Sequence, residues 1–167
     1  MGCQTLNETM PTPEERAYLV AKLIKDNFPN SGEKFTTDAG RAALMGNIDV
    51  ETGGSFDSTQ KQDGGGPGYG LFQMEGVLKA GYTKFCRGDD STEKQVQFVK
   101  QEIDTGTLIG PGNAARIRSA FQRDNLANAT DLFCTLFERP RDTSETHLKI
   151  RRAKAEKWLK KVKEWGL

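Results

Sequence analysis

The sequence has few of the side chains that hold metal ions. It contains one histidine, His147, and three cysteines, none of them at the short spacing of paired ligands. A structural zinc site needs about four such ligands, commonly in closely spaced pairs. We therefore expect no metal and no cofactor. Cys86 and Cys134 are expected to be reduced, buried thiols, with a disulfide between them as the alternative, and Cys3 is interpreted as an ordinary thiol.

An excess of charge of one sign is also absent. The 24 basic and 23 acidic residues give a net charge of +1, which provides no reason to expect a nucleic-acid partner. No run approaches the roughly 18 apolar residues of a membrane span. The N-terminal stretch MGCQTLNETMPTPEER lacks the apolar core of a signal peptide. We thus expect synthesis in a cytoplasm and no stable insertion into a membrane.

Internal repeats, interdomain linkers and long strand patterns are lacking too. With 167 residues, 35% of them hydrophobic, the chain is long enough to bury one core. We predict a single domain at residues 12–167, preceded by a tail at 1–11, and we expect a monomer. The predicted fold class is mainly α (α+β), because the one candidate for β structure is a short hairpin within 56–73.

Capping and turn residues divide the chain into helices. Thr12, Pro13 and Glu15 form a capping box with proline at the first helical position, and the apolar stripe that follows ends near Asn30. Further helices are predicted to begin near Thr37-Asp38, Asp90, Asn113, Asn128 and Ser144, each with an apolar stripe behind a capping residue. The helix that begins near Asp38 is predicted to stop at the Gly53-Gly54 pair.

Glu51 is an unusual residue in that second helix. Side chains at positions i, i+4 and i+7 share a helix face, and these positions are Leu44, Ile48 and Glu51. On such a core-facing stripe an unpaired carboxylate is costly, so the protonated form is favoured. A carboxyl group that is protonated near neutral pH is what general acid catalysis requires. The alternative interpretation is a glutamate that turns outward at a frayed helix end.

A glycine-rich tract follows this helix. Glycines occupy positions 64, 65, 66, 68 and 70, so a ligand can approach the backbone without meeting a β-carbon. The tract matches neither the phosphate loop nor the dinucleotide fingerprint. A flexible loop is the alternative, but the tract runs directly into the compact segment Tyr69-Gly70-Leu71-Phe72-Gln73.

Together these two motifs resemble a known superfamily. Glu51-Thr52-Gly53 at a helix end, followed by Tyr69-Gly70-Leu71-Phe72-Gln73, is similar to the lysozyme-like superfamily of goose-type lysozymes, lytic transglycosylases and, most closely, phage tail-type lysozymes. A later segment, Phe137-Glu138-Arg139-Pro140, and a final helix containing Arg151 and Arg152 resemble the end of the phage tail-type domain. The resemblance covers residues 12–165 and implies a lysozyme-like helical domain whose glycine-rich β-hairpin lines a substrate cleft.

The resemblance also implies an activity and roles for individual residues. It implies a muramidase that hydrolyses the β-1,4 bond between N-acetylmuramic acid and N-acetylglucosamine in peptidoglycan, with Glu51 as the general acid. Asp63 matches an aspartate that precedes the hairpin in goose-type enzymes, and Glu75 stands where those enzymes have a second acid, here glutamate instead of aspartate. Contacts with the sugar are implied for the segment Tyr69, Gly70, Leu71, Phe72 and Gln73.

Several alternatives remain open at the level of sequence. The favoured second carboxylate is Asp63, with or without Glu75, which favours inverting hydrolysis over the transglycosylase reaction. Asp57 stays an alternative, and a loop-capping role stays open for both Asp57 and Asp63. A non-catalytic peptidoglycan-binding module would keep the groove without needing Glu51. A helical interaction protein, or a helix lying on an anionic membrane, would use the lysine-rich face near Trp158 and Trp165. The enzyme is expected either to leave the host cytoplasm through a holin, as an endolysin, or to be carried in the virion tail.

Overall fold

The computed structural model describes residues 10–167, and it is mainly helical. The α-helices of this part of the chain are α1 (Pro13–Asn27), α2 (Asp38–Glu51), α3 (Gly76–Cys86), α4 (Thr92–Thr105), α5 (Pro111–Phe121), α6 (Leu126–Phe133) and α7 (Glu145–Glu164). A 3₁₀ turn at Asp63–Gly65 and a π-helical turn at Cys134–Glu138 complete the helical structure. Most of the predicted tail, including Cys3, lies outside the described residues.

The capping residues predicted for three helices are confirmed. Thr12 and Glu15 exchange the two hydrogen bonds of a capping box at the start of α1. Thr37 accepts from the Gly40 amide at the start of α2, and Ser144 accepts from the His147 amide at the start of α7. Each hydroxyl satisfies a backbone N–H that has no partner inside its helix, so these starts are encoded locally.

Three predicted caps are wrong, and one helix was missed. Helix α4 is capped by Ser91, which accepts from the amide of Lys94, and not by Asp90. Helix α5 begins at Pro111 after Gly110, so Asn113 lies inside it, and α6 is capped by Asn125, which accepts from the amide of Asn128. Pro111 sets the start of α5 because proline suits the first helical position, and Asn125 caps α6 three residues before the predicted Asn128. Helix α3 was not predicted because only Tyr82 and Cys86 of its residues are buried, which leaves no clear apolar stripe.

The predicted β-hairpin is not formed as a pair of strands. Within residues 10–167 the only β pairing consists of two isolated antiparallel bridges, Lys61 with Tyr69 and Tyr69 with Met74. The backbone amides of Gln62 and Gly70 donate to the carbonyls of Gly68 and Gln60, at 2.9 and 2.8 Å. Glycines in the left-handed region interrupt the extended backbone that a strand would need. The segment is therefore an irregular loop, held in a hairpin-like shape by a few bonds.

Helix α2 is the centre of the packing. Its residues 39–49 are all buried, and it crosses α7 at Gly46, where an added β-carbon would lie 2.5 Å from the backbone nitrogen of Ala155. This close approach fixes Arg151, one turn before Ala155, beside the C-terminal end of α2. The crossing therefore determines which side chains surround Glu51.

Two cysteines lie in the described part of the chain, and neither forms a disulfide. Cys86 and Cys134 are both free and buried, as expected of reduced thiols. Burial raises the pKa of the Cys134 thiol to about 12. No helix among residues 10–167 is both long and apolar enough to cross a bilayer.

Candidate active site

The last turn of α2 positions Glu51. The hydroxyl of Thr52 donates to the carbonyl of Ile48 and accepts from the amide of Phe56, which closes the helix end. Gly53 and Gly54 then take positive φ angles of 57° and 81°, which glycine adopts without a steric penalty. The predicted stop at this glycine pair is confirmed, and it leaves Glu51 at the rim of a cleft instead of inside a continuing helix.

The cleft has a volume of about 420 Å³ and is strongly charged. Its lining includes the carboxylates Glu51, Asp63, Glu75 and Glu138 and the guanidinium groups Arg139 and Arg141. Asp63 and Glu75 are exposed to solvent, whereas the Glu51 side chain keeps only 16% of its surface exposed. Three carboxylates singled out from the sequence therefore face one cavity.

A second hollow continues the cleft. Its volume is about 290 Å³, and it shares with the cleft the residues Phe72, Gln73, Glu75, Glu138 and Arg139. On the far side it is lined by apolar residues, among them Val77, Leu108 and Ile109. The two cavities form one groove with a charged half and a more apolar half, which suits an extended ligand better than a small one.

Glu51 is not the unpaired carboxylate that the apolar stripe predicted. Arg151 on α7 donates from Nη2 to Glu51 Oε1 and from Nη1 to Glu138 Oε2, the latter at 2.5 Å. The same guanidinium donates to the Asn47 side-chain oxygen at 2.8 Å and to His147 Nε2 at 3.1 Å. Only 1% of the Arg151 side chain is exposed. A buried arginine thus joins two carboxyl groups, a contact made by tertiary packing that the α2 pattern could not reveal.

Glu138 is the most deeply buried carboxyl group of the cleft. Its side chain is 3% exposed, and its Oε1 atom accepts no hydrogen bond from any described residue. Burial raises the pKa of Glu138 well above its usual range, and the charge of the nearby Glu51 adds to this effect. Arg151 opposes the shift without cancelling it. Glu138 therefore holds a proton more readily than an exposed glutamate.

Only part of the Tyr69-to-Gln73 segment lines the groove. Phe72 and Gln73 line the groove, but Tyr69, Gly70 and Leu71 are not part of its lining. The Tyr69 hydroxyl donates to Asp90, and Leu71 is fully buried in the core. Tertiary packing thus places these three positions outside the groove lining, and sugar contacts there stay a prediction.

Gly70 shows why the segment turns away. Its φ is +77°, and an added β-carbon would lie 2.4 Å from the Gln95 side-chain oxygen. That oxygen accepts from the Leu71 amide at 2.9 Å, and the Gln95 amide group donates to Ser58 at 2.7 Å. The glycine at position 70 allows this buried glutamine to hold the loop. Gly70 therefore has a role in packing, and its expected role in admitting a sugar stays a prediction.

Asp57 and Gln73 are held by local hydrogen bonds. Asp57 accepts from the backbone amide of Thr59 at 2.8 Å and from its hydroxyl at 2.7 Å, and these bonds lower the pKa of Asp57. Asp57 lies outside the groove lining and acts as a loop-capping side chain. Gln73 donates to the carbonyl of Gly70 at 2.9 Å, which orients its side chain in the cleft.

Sequence reasoning missed Glu138 and Arg151 as parts of the site. In the sequence they stand out only as parts of segments that resemble the end of the phage tail-type domain. Arg151 had a detectable signal: it lies three residues after Leu148 and four before Ala155, on the apolar stripe of α7. Glu138 had none, because the π-helical turn at Cys134–Glu138 changes which side chains face inward. No group of three or more potential ligands within residues 10–167 is arranged to hold a metal ion.

Comparison with known families identifies the relatives of this fold. Residues 22–162 match the sequence model of a family described as phage tail lysozyme. The match covers α2, the glycine-rich loop, the π-helical turn and nearly all of α7. No curated protein matches the chain.

Proposed function

Because the chain belongs to the phage tail lysozyme family, we propose that it hydrolyses the β-1,4 bond between N-acetylmuramic acid and N-acetylglucosamine. Family membership by itself gives the coarser statement, a lysozyme-like protein that degrades peptidoglycan. The observation that supports the finer proposal is the position of Glu51 in a charged cleft whose other walls carry Asp63 and Glu75. Breaking this glycosidic bond requires a proton donor and a second carboxylate.

Glu51 is the proposed general acid. It lies at the end of a rigid, buried helix, and its partly shielded carboxyl group faces the cleft. A fixed carboxyl group of this kind protonates the glycosidic oxygen as the bond to the anomeric carbon breaks. Arg151 restricts the rotation of the Glu51 side chain, so the carboxyl group is already oriented before substrate binds.

Asp63 or Glu75 is the proposed second carboxylate. Both are exposed and line the same cleft as Glu51, so each is accessible to a water molecule on the opposite face of the sugar. A water positioned by a carboxylate leads to inversion at the anomeric carbon, the stereochemistry that we propose. Asp57 is left out of this role because its carboxylate caps the loop at Thr59.

The glycan strand is proposed to lie along the two joined cavities. Gln73 is positioned to bond an acetamido group, and Phe72 provides an apolar wall shared by both halves. We further propose that residues 12–167 act as a single domain and as a monomer. The family fits both a virion-associated role and a role in host lysis, and within these we propose wall access either from the virion tail or through a holin.

The test of Glu51 is the substitution Glu51→Gln. Glutamine keeps the shape and can still accept from Arg151 but carries no transferable acid proton, so we expect lysis of purified cell walls to fall by at least about 10²-fold. Glu156→Gln is the matched control, because Glu156 is exposed on α7 and lies outside the groove. Thermal melts of both variants separate loss of activity from loss of fold. An active, folded Glu51→Gln protein would remove Glu51 from the acid role.

Mass spectrometry of the released muropeptides tests the reaction type. Hydrolysis gives reducing N-acetylmuramic acid ends, whereas a lytic transglycosylase gives anhydro ends of lower mass. We expect reducing ends, because two carboxylates besides Glu51 are accessible in the cleft to activate water. Anhydro products would assign the transglycosylase reaction, and binding without any product would assign a non-catalytic module.

A further inference from the structure

The buried cluster of Glu51, Glu138 and Arg151 contains two carboxyl groups but only one positive charge. One guanidinium bonds two carboxyl groups, and the side chains of Glu138 and Arg151 are 3% and 1% exposed. If both carboxyl groups were ionised, one negative charge would remain unbalanced in a place with little water. Burying an uncompensated charge is costly, so the cluster favours the uptake of one proton.

The unpartnered oxygen of Glu138 indicates where that proton lies. Arg151 satisfies Glu138 Oε2, but Oε1 is buried and accepts from no donor among residues 10–167. A protonated Oε1 changes from an acceptor into a donor, and the Glu51 carboxyl group is the neighbouring acceptor, because Arg151 bonds one oxygen of each of the two side chains. One proton therefore satisfies the orphaned oxygen and removes the excess charge at once.

We propose that Glu51 and Glu138 share a single proton across Arg151, and that Glu138 is the positioning residue that keeps this proton available for transfer from Glu51. The proposal deepens the function proposed above and rests on it for the role of Glu51. It assigns to the Phe-Glu-Arg-Pro segment a part in catalysis although Glu138 does not touch the reacting bond.

The proton movements balance over one turnover. Before reaction the pair holds one proton, which moves between the two carboxyl oxygens while Arg151 neutralises the remaining charge. The glycosidic oxygen takes the proton from Glu51 as its bond to the anomeric carbon breaks. The attacking water gives its own proton to Asp63 or Glu75 and its hydroxyl group to the sugar. Transfer of that proton to solvent, and uptake of one by the pair, restores the starting state.

Glu138 does not itself serve as the second catalytic carboxylate. A retaining nucleophile and its acid stand about 5–5.5 Å apart, and an inverting base stands about 6.5–9.5 Å from its acid. Glu51 and Glu138 are both bonded to the same buried guanidinium, which leaves no space for a sugar ring between them. Their arrangement resembles that of carboxyl dyads that share a proton because they cannot both ionise.

The surrounding groups limit what else can titrate with the pair. On α7 these groups are Arg151 and, behind it, His147; on α2 the neighbour is the neutral amide of Asn47; and the π-helical turn contributes the buried thiol of Cys134. On the solvent side the charged groups of the cleft are Asp63, Glu75, Arg139 and Arg141. His147 meets the cluster through Arg151, whose Nε donates to His147 Nε2 while its two terminal nitrogens bond the carboxyl groups.

A titration of the ligand-free protein tests the shared proton directly. Protein labelled with carbon-13 at the glutamate carboxyl groups is followed by NMR from acid to alkaline pH, and spectra of Glu51→Gln and Glu138→Gln assign the two signals. We expect one proton to leave the pair far above the usual glutamate range, with both signals changing together in that step. Two independent titrations in the usual range would overturn the proposal. This readout needs no activity, so it is independent of the role proposed for Glu51.

The pH–rate profile of Glu138→Gln tests the use of the proton in catalysis. Without Glu138 the shared proton has no second carboxyl group to hold it, while the positive charge of Arg151 remains. We expect the alkaline limb of the kcat profile to move down by about one pH unit or more, kcat at neutral pH to fall about tenfold or more, and KM to stay within about twofold.

Asp131→Asn is the matched control for that variant. Asp131 bonds the neighbouring arginine of α7, Arg152, at 2.5 Å, outside the groove. This variant breaks an ion pair between α6 and α7, next to Arg151 in sequence, without altering the proposed proton, so its profile should keep the wild-type shape. If Glu138→Gln loses activity equally at all pH values, Glu138 is only a structural support and the proposal is wrong. If instead the shared proton is seen by NMR but Glu51→Gln remains active, the function proposed for Glu51 fails and the proton pair stands.

Discussion

At the residue scale, the carboxylates near the glycine-rich loop differ in what binds them. Asp57 is occupied by two hydrogen bonds from Thr59, whereas no described side chain forms an ion pair with Asp63 or Glu75. A carboxylate that activates water must have an oxygen accessible to that water. Asp63 and Glu75 meet this requirement, and Asp57 does not.

Single substitutions distinguish between the two accessible carboxylates. We expect either Asp63→Asn or Glu75→Gln to slow hydrolysis by about 10²-fold or more, because only one of them is needed to activate water. The other should change mainly KM, as a cleft-lining group that contacts substrate. Steady-state rates on a soluble peptidoglycan fragment measure both quantities. Asp57→Asn is the control and should keep near-normal rates; a large loss there would return Asp57 to the list of candidate bases.

At the element scale, the crossing of α2 and α7 builds the site. Gly46 lets the two helices approach so closely that Ala155 occupies the space that a side chain at position 46 would need. The same crossing brings Arg151 against Asn47 and Glu51. The π-helical turn then directs both Phe137 and Glu138 inward, although they are adjacent in sequence. The relative position of two helices and one irregular turn therefore determines the proton cluster.

Gly46→Ala tests the importance of this crossing. The new β-carbon would lie 2.5 Å from the Ala155 nitrogen, so one helix must shift, and we expect a loss of about 1–3 kcal/mol of stability with a larger relative loss of activity. Gly112→Ala is the control, since its β-carbon meets no atom within 4 Å in helix α5. That control should be neutral or stabilising by up to about 1 kcal/mol. Urea unfolding supplies the free energies, and equal stability of the two variants would contradict the close-packing argument.

At the scale of the whole molecule, the buried cluster makes stability depend on pH. The pKa of Glu138 is raised in the folded protein, from an unfolded value of about 4.5, chiefly by burial. Between these two pKa values the folded state binds a proton that the unfolded state has lost. The free energy of unfolding therefore decreases as pH rises through this window, and the contribution is constant below it and above it. The pKa of Asp57 is lowered in the folded protein, so its contribution to the free energy of unfolding is lost as pH falls, in a more acidic range.

Denaturation at a series of pH values checks this dependence. We expect the unfolding free energy of the wild-type protein to decline from about pH 4.5 upwards, and the decline to be largely absent in Glu138→Gln, which has no proton to lose at that position. The comparison uses the slope and not the absolute stability, because the substitution also changes a hydrogen bond to Arg151. Equal slopes in the two proteins would mean that Glu138 ionises normally.

The sequence by itself determined the features that depend on neighbours along the chain. The capping box at Thr12, the cap at Ser144, the stop at Gly53-Gly54 and the helical character of the chain all follow from local bonds and periodicity. Glu51 was singled out in the same way, from its place on the stripe of Leu44 and Ile48. The family resemblance noted from two short motifs is confirmed over residues 22–162.

Tertiary structure alone decided what surrounds those residues. The partner of Glu51 lies a hundred residues away on α7, and the third member of the cluster lies on a turn with no sequence signal. The motif gave no sign that Tyr69 bonds Asp90 or that Gly70 packs against Gln95. Propensity and periodicity describe contacts over a few residues. Burial, charge compensation and the shape of a cleft arise only where distant elements meet, so they could not be read from the chain.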